Sequence, residues 1–169
     1  MKKVLISLLM FAGCIAASYG QKFALVDMEY IMKNLGTYEV AQNQLEQLSQ
    51  ARQKEVETVQ KQAEAIYKQY QAERPYLTAA DQKRYEEAIT AKEKEVSELR
   101  YKYFGPEGEI YKKRQAMIEP IQTQVYDAIK EISELNGFQA IFDRATSANI
   151  IYATPRIDIS DQVLAKILN

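Results

Sequence analysis

Arg74-Pro75-Tyr76-Leu77-Thr78-Ala79-Ala80-Asp81 is the stretch that decides the fold. The residue before a proline is disfavoured in the α conformation, so a helix arriving from the N-terminal side stops near Arg74. Thr78 then offers a hydroxyl as an N-cap, with Asp81 three residues on in a capping-box-like spacing. On both sides the sequence is rich in Gln, Glu, Lys, Ala and Leu, all good helix formers.

Between positions 28 and 136 the only glycines and prolines are Gly36, Pro75, Gly105, Pro106, Gly108 and Pro120. One helix of that length would run about 160 Å, so a hairpin is the economical reading. A tip near 74–81 gives arms of comparable length, 28–73 and 78–136. The rival turn, Phe104-Gly105-Pro106-Glu107-Gly108, has the stronger local breaking signal but would leave grossly unequal arms. It reads as a kink in the returning arm, with Pro120 a milder one.

Apolar residues keep a 4-3 rhythm along both arms. Ala41, Leu45 and Leu48 precede a polar Arg52; Val56, Val59, Ala63, Ile66 and Tyr70 resume the pattern. On the return, Tyr85, Ile89, Lys92, Val96, Leu99 and Tyr103 are followed by Ile118, Ile121, Val125, Ala128, Ile132 and Leu135. This is a coiled-coil-like seam, and it predicts that most of the stripe packs one arm on the other.

Three strands flank the helical region in this reading: 23–27, 138–143 and 149–153. Gly137 fits the end of the returning helix, and Ser160 is positioned to cap a short last helix with Val163, Leu164, Ile167 and Leu168 on its apolar face. The segments 21–27 and 137–169 form a head too small to bury a stable core alone, since domains below about 40 residues need metals, disulfides or partners. Oligomerisation is the expected remedy, with Phe23, Leu25, Val26, Phe138, Ile141, Phe142, Ile150 and Tyr152 as the candidate body residues. The fold class is therefore α+β: a long α-helical hairpin, or coiled-coil tentacle, on a small β body completed by oligomerisation.

Residues 1–20 read as a secretory signal: Lys2-Lys3, an apolar run, then Ser18-Tyr19-Gly20 in the small-x-small pattern. The apolar run is shorter than the ~20 residues that span a bilayer. Phe11-Ala12-Gly13-Cys14 offers the alternative of lipidation at Cys14. Removal of 1–20 leaves 20 basic and 23 acidic residues, a net charge of −3. Such a chain has no electrostatic engine for non-specific nucleic-acid binding.

Among 169 residues there is no His and no Trp, and Cys14 is the sole Cys. Cys–His and Ser–His nucleophile systems and His/Cys zinc sites are thereby excluded. Glu86-Glu87 and the Glu93/Glu95 pair lie among lysines on helix surfaces, where nothing separates their pKa values as acid–base catalysis requires. No Gly-rich phosphate loop supports ATP use. No catalytic, cofactor-binding or metal-ligating residue is nominated, and the chain is not read as an enzyme. Lys112-Lys113-Arg114 reads as a solvated helix face. Tyr67, Tyr70, Tyr76 and Tyr85 cluster about the tip, and aromatic rings with a polar end suit contact with many unfolded sequences.

Lys22-Phe23-Ala24-Leu25-Val26-Asp27-Met28, the charged Gln-rich hairpin, Asn136-Gly137-Phe138-Gln139-Ala140-Ile141-Phe142-Asp143 and Asp158-Ile159-Ser160-Asp161-Gln162-Val163-Leu164 together resemble the Skp/OmpH family of periplasmic chaperones. The stretch from Tyr103 to Gln115 is similar to a block of the Bacteroidetes-type branch. The resemblance implies a periplasmic homotrimer whose hairpins surround a cavity and hold unfolded outer-membrane β-barrel proteins without ATP. The near-neutral charge departs from the strongly basic members of that family. The rival readings are a structural coiled-coil protein acting as an envelope spacer or tether and, further back, the hairpin of an efflux adaptor.

Overall fold

The computed structural model describes residues 22–147 and 150–169. The expected leader with Cys14, and Asn149 of the expected third strand, lie outside the described residues. The chain divides into two compact units, one of residues 32–125 and one of the chain before and after it.

In the second unit, strand β1 (Phe23–Val26) buries Ala24, Leu25 and Val26. Asp27 follows it and caps helix α1 (Met28–Lys33): its Oδ1 accepts the Tyr30 backbone N–H at 2.8 Å. Helix α2 (Gly36–Glu73) is the outgoing arm. A 3₁₀ turn over Arg74–Tyr76 reverses the chain, and Leu77 N–H donates to Arg74 O at 3.3 Å. Thr78 caps helix α3 (Ala79–Phe104) by accepting Asp81 N–H at 3.2 Å, and donates its hydroxyl to Asp81 Oδ2 at 2.6 Å. Asp81 thus binds the cap hydroxyl, so the capping box is only half made.

After Phe104 the return arm breaks and restarts as helix α4 (Glu109–Asn136), which contains Pro120 without interruption. The break needs its glycines for room. A Cβ on Gly108 would lie 2.7 Å from Tyr103 O, and one on Gly105 would collide with Tyr101 O. Gly137 closes α4 in the left-handed region, at φ 68°, and Phe138 N–H reaches back to Ser133 O at 3.0 Å. That is the Schellman bond, at a position where a Cβ would be strained.

Strand β2 (Ala140–Asp143) pairs with β1 in parallel, Ala24 opposite Ile141 and Leu25 opposite Phe142. The last helix, α5 (Ser160–Leu168), buries Val163 and Leu164 alongside Ile31, Ala128 and Ile132 in the core of this unit. Lys166 Nζ pairs with Glu131 of α4 at 2.6 Å.

Two expectations are corrected. Residues 150–153 form no strand, and Ile151 and Tyr152 are 99% and 82% exposed. A strand exists by pairing, and both edges of β1 are taken: one by β2, the other by a parallel bridge at Asp158, where Ile159 N–H donates to Leu25 O at 2.9 Å. Ser160 does not cap α5, since it is the first helical residue. Its hydroxyl accepts Asp27 N–H at 2.8 Å and donates to Asp158 Oδ1 at 2.6 Å, while that same carboxylate oxygen accepts Ser160 N–H.

Gly108→Ala should lower hairpin stability by about 1–3 kcal/mol, the range for an overpacked site. Gly36→Ala, with nothing within 4 Å of the added methyl, should be neutral or slightly stabilising. Thermal melts followed by circular dichroism compare the two, and equal melting temperatures would refute the steric account of the break.

Candidate functional site

The arm unit carries the candidate surface. Ala41, Leu45, Val56, Val59, Ala63 and Tyr70 are buried along α2, with Leu48 and Ile66 half-buried. Towards the tip, the Tyr70 and Tyr85 rings stack with centroids 5.5 Å apart. Each phenol reaches across to the other helix: Tyr70 Oη donates to Glu86 at 2.8 Å and Tyr85 Oη to Glu73 at 2.7 Å. The bond to Glu86 pushes the Tyr70 phenol above its ordinary 10.0, and Glu73 does the same to Tyr85. Conversely the Tyr85 phenol, with Gln69 second, holds Glu73 below its ordinary 4.5.

The four tyrosines singled out by sequence therefore divide. Tyr70 is 6% exposed and Tyr85 half-buried, both committed to the arm's interior. Tyr67 is 50% and Tyr76 90% exposed. Tyr67 Oη accepts Gln71 Nε2 at 2.8 Å.

A second polar crossing sits where the return arm breaks. Arg52 places its guanidinium 4.7 Å from the Tyr103 ring centroid and bonds Glu109 at 2.7 Å and Glu55 at 3.1 Å. Tyr103, 2% exposed, donates its hydroxyl to Glu55 at 2.7 Å. That bond, with Arg52 next, lowers the Glu55 pKa below 4.5, and Glu55 raises the Tyr103 phenol. In the sequence alone Arg52 is a polar residue after which the apolar pattern resumes. The available signal was its placement on the seam's own rhythm in an arm whose partner carries Gly105-Pro106.

Two shallow grooves of about 410 Å³ each flank the seam between α2 and α3. One has Ala63, Ile89 and Val96 at its base with Tyr67 as a wall, and the other, nearer the tip, is lined by Ile66, Leu77, Tyr85 and Ala88. Among the described residues no His/Cys/Asp/Glu group could hold a metal, and no helix is long and apolar enough to cross a membrane.

In the head unit, the candidate body residues lie in two settings. Leu25 and Val26 are buried; Phe138, Ile141 and Ile150 are half-buried; and Phe23, Phe142 and Tyr152 are exposed. The Phe23 and Phe142 rings meet at 6.2 Å on the sheet. Arg144 ties this region together, bonding Asp27 and Asp158 at 3.1 Å each. The Tyr30 backbone N–H, ahead of Arg144, lowers the Asp27 pKa below its ordinary 3.8.

A paired helical hairpin with flanking grooves, joined in sequence to a two-stranded parallel β–α head, defines a helical-arm protein. The sequence model of the family described as Outer membrane protein (OmpH-like) matches residues 22–167, and the chain belongs to that family. None of the curated proteins matches it. Among solved structures, a protein described as an outer membrane chaperone (OmpH-like) from Caulobacter crescentus CB15 shares the fold at a TM-score of 0.68 and 13% identity, covering 87% of this chain and 83% of that one.

The crossings make stability pH-dependent. Glu73 and Glu55 have folded pKa values below 4.5, so their contribution is present above 4.5 and fades as pH falls through the lower folded values. The raised tyrosines contribute below 10.0 and lose it as pH climbs past their folded values. The double variant Tyr85→Phe/Tyr103→Phe should melt below the wild type at pH 7, with the gap narrowing as pH drops under 4.5. A gap constant across that window would show that the phenols do not favour the ionised carboxylates.

Proposed function

We propose that this protein is an ATP-independent holdase chaperone of the periplasm that binds unfolded outer-membrane β-barrel proteins. The observation that carries the reading is the pair of apolar-floored grooves beside a seam that is already closed. The arms hold each other through buried residues and crossed phenol–carboxylate bonds, yet leave shallow apolar surface beside that contact. Such surface suits partners without a fixed shape. Exposed Tyr67 and Tyr76 add amphipathic rings, which contact varied sequences through an apolar face and a polar edge.

Each groove contact is weak, but several on one oligomer act at high effective concentration, so the sum is tight while the client stays mobile. Release follows when the client folds and withdraws its unfolded segments. Nucleotide has no part in the cycle.

The oligomer, read as a trimer around a cavity, is supported by the head. The sheet has two strands, so the outer edge of β2 has no strand partner among the described residues. Segment 150–153 carries strand-forming residues, of which Ile151 and Tyr152 are exposed and pair with no strand among the described residues. An open edge and a spare strand in one chain invite pairing between copies.

Light scattering tests the holdase reading: a urea-unfolded outer-membrane barrel protein is diluted into residues 21–169 without nucleotide. Suppression saturating at about three chains per client is the expected result. No suppression by folded protein would transfer the assignment to an envelope spacer. Ile141→Asp, on the strand pair, should reduce the mass seen by sedimentation and weaken the strand signal, whereas an unchanged oligomer with unchanged circular dichroism would overturn the assembly proposal.

A further inference from the structure

The groove at mid-arm has a definite chemical shape. Its base combines a small residue, Ala63 on α2, with Ile89 and Val96 on α3, and the Tyr67 ring stands half-exposed beside them. Ala63 occupies a seam position, between Val59 and Ile66. A larger aliphatic side chain there would project into the space that forms the groove. The volume, about 410 Å³, lies within the ~300–1,000 Å³ of ordinary ligand clefts.

The rim carries three charges, Glu64, Glu93 and Arg100, and Glu64 accepts the Gln60 side-chain amide at 3.2 Å. Arg100 donates to the Gln60 side-chain carbonyl at 2.9 Å and has no carboxylate partner among the described residues. Glu93 likewise makes no ion pair among them. Each offers its charge to an occupant: a carboxylate for Arg100, an ammonium or guanidinium for Glu93.

Resting on the holdase reading, we infer that this groove is a subsite for one aromatic side chain of an extended client segment, with flanking residues of opposite charge meeting Glu93 and Arg100. The apolar base takes the ring, Tyr67 supplies an edge or face to it, and the single cation Arg100, set against the carboxylates Glu64 and Glu93, favours one direction of the segment. Aromatic pairs with centroids ~4.5–7 Å apart add attraction beyond burial. The charge pattern explains how a chain of near-zero net charge holds polar polypeptide: recognition is by local pairs.

The chain has no Trp, so a probe peptide's own Trp reports binding without background. The probe is a short unstructured peptide with a single Trp between Lys and Asp, titrated against the full mature chain. Wild type should shift the Trp emission to the blue in a saturable way, and a peptide with Ser for Trp should fail to compete. Ala63→Leu fills the groove from one side and Val96→Phe from the other. Each should weaken binding about tenfold while helical content and melting temperature hold. Tyr67→Ser, at an exposed position, covers the case in which a filled seam does not fold, and should also weaken binding.

Exchanging the peptide's Lys and Asp should reduce affinity if Glu93 and Arg100 read direction, and Arg100→Gln should abolish that difference. Equal binding by folded Ala63→Leu and wild type would overturn the assignment. So would a change in oligomeric mass on Ala63→Leu, which would make a second copy the occupant. Scattering suppression by a wild type that gives no Trp shift would sink the subsite and leave the holdase reading standing; failure of both would remove both.

Discussion

Parallel strands cannot be joined by a tight turn, and that constraint governs this chain. β1 and β2 pair in parallel from Phe23 opposite Ala140 to Val26 opposite Asp143, so the connection between them must leave the end of one strand and return to the start of the other. Here the connection is the whole helical region. An outgoing arm therefore requires a returning one, which in turn requires a tip. The residues at the two ends of the loop are shaped for this closure. Asp27 ends β1 and caps α1, while Gly137 ends α4 in a conformation only glycine adopts without strain, turning the chain into β2. Arg144, just past β2, bonds the Asp27 carboxylate and so secures the strand ends to each other.

Within the arm, apolar burial alone would not set the register. Slid along a seam of Val, Ile and Ala, two helices meet similar surroundings at many offsets. The crossed bonds Tyr70–Glu86 and Tyr85–Glu73 exist at one offset only, as does Arg52–Glu109. Their value lies in the difference between one register and its neighbours, because a slipped arm would bury phenols and a guanidinium without partners. The break at Gly105–Gly108 belongs to the same arrangement. It falls beside the Arg52 crossing, where a polar contact takes the place of the aliphatic seam.

Those features differ in how far the sequence discloses them. The tip at Pro75 and the Thr78 cap are local effects of covalent geometry and hydrogen bonding within four residues, so they read directly. Gly137 reads for the same reason. Arg52 does not, because its partner Glu109 is remote in sequence and an arginine at a seam position has no meaning until that carboxylate is found. Ser160 has the composition of a cap, but Asp27, far away in the chain, takes its hydroxyl. Segment 150–153 has strand composition without a strand partner among the described residues. The tyrosines were separable after all: Tyr70 and Tyr85 fall on the 4-3 rhythm, which assigns them to the interior, while Tyr67 and Tyr76 fall off it.

Alanine in the seam explains how a self-packed arm retains binding surface. Ala63 stands where a tighter coiled coil would carry Leu or Ile, and that exchange forgoes roughly 2 kcal/mol of burial. Uniform large residues would make a stiffer, more closed hairpin with nothing left beside the contact line. With a small residue set among large ones, the helices still approach, the polar crossings still fix the register, and the mid-arm groove opens beside Ala63. The stability given up in the seam is thus the origin of the surface. For the proposed holdase, such grooves serve better than one deep pocket would, since a shallow site exchanges its occupant quickly and holds only through repetition.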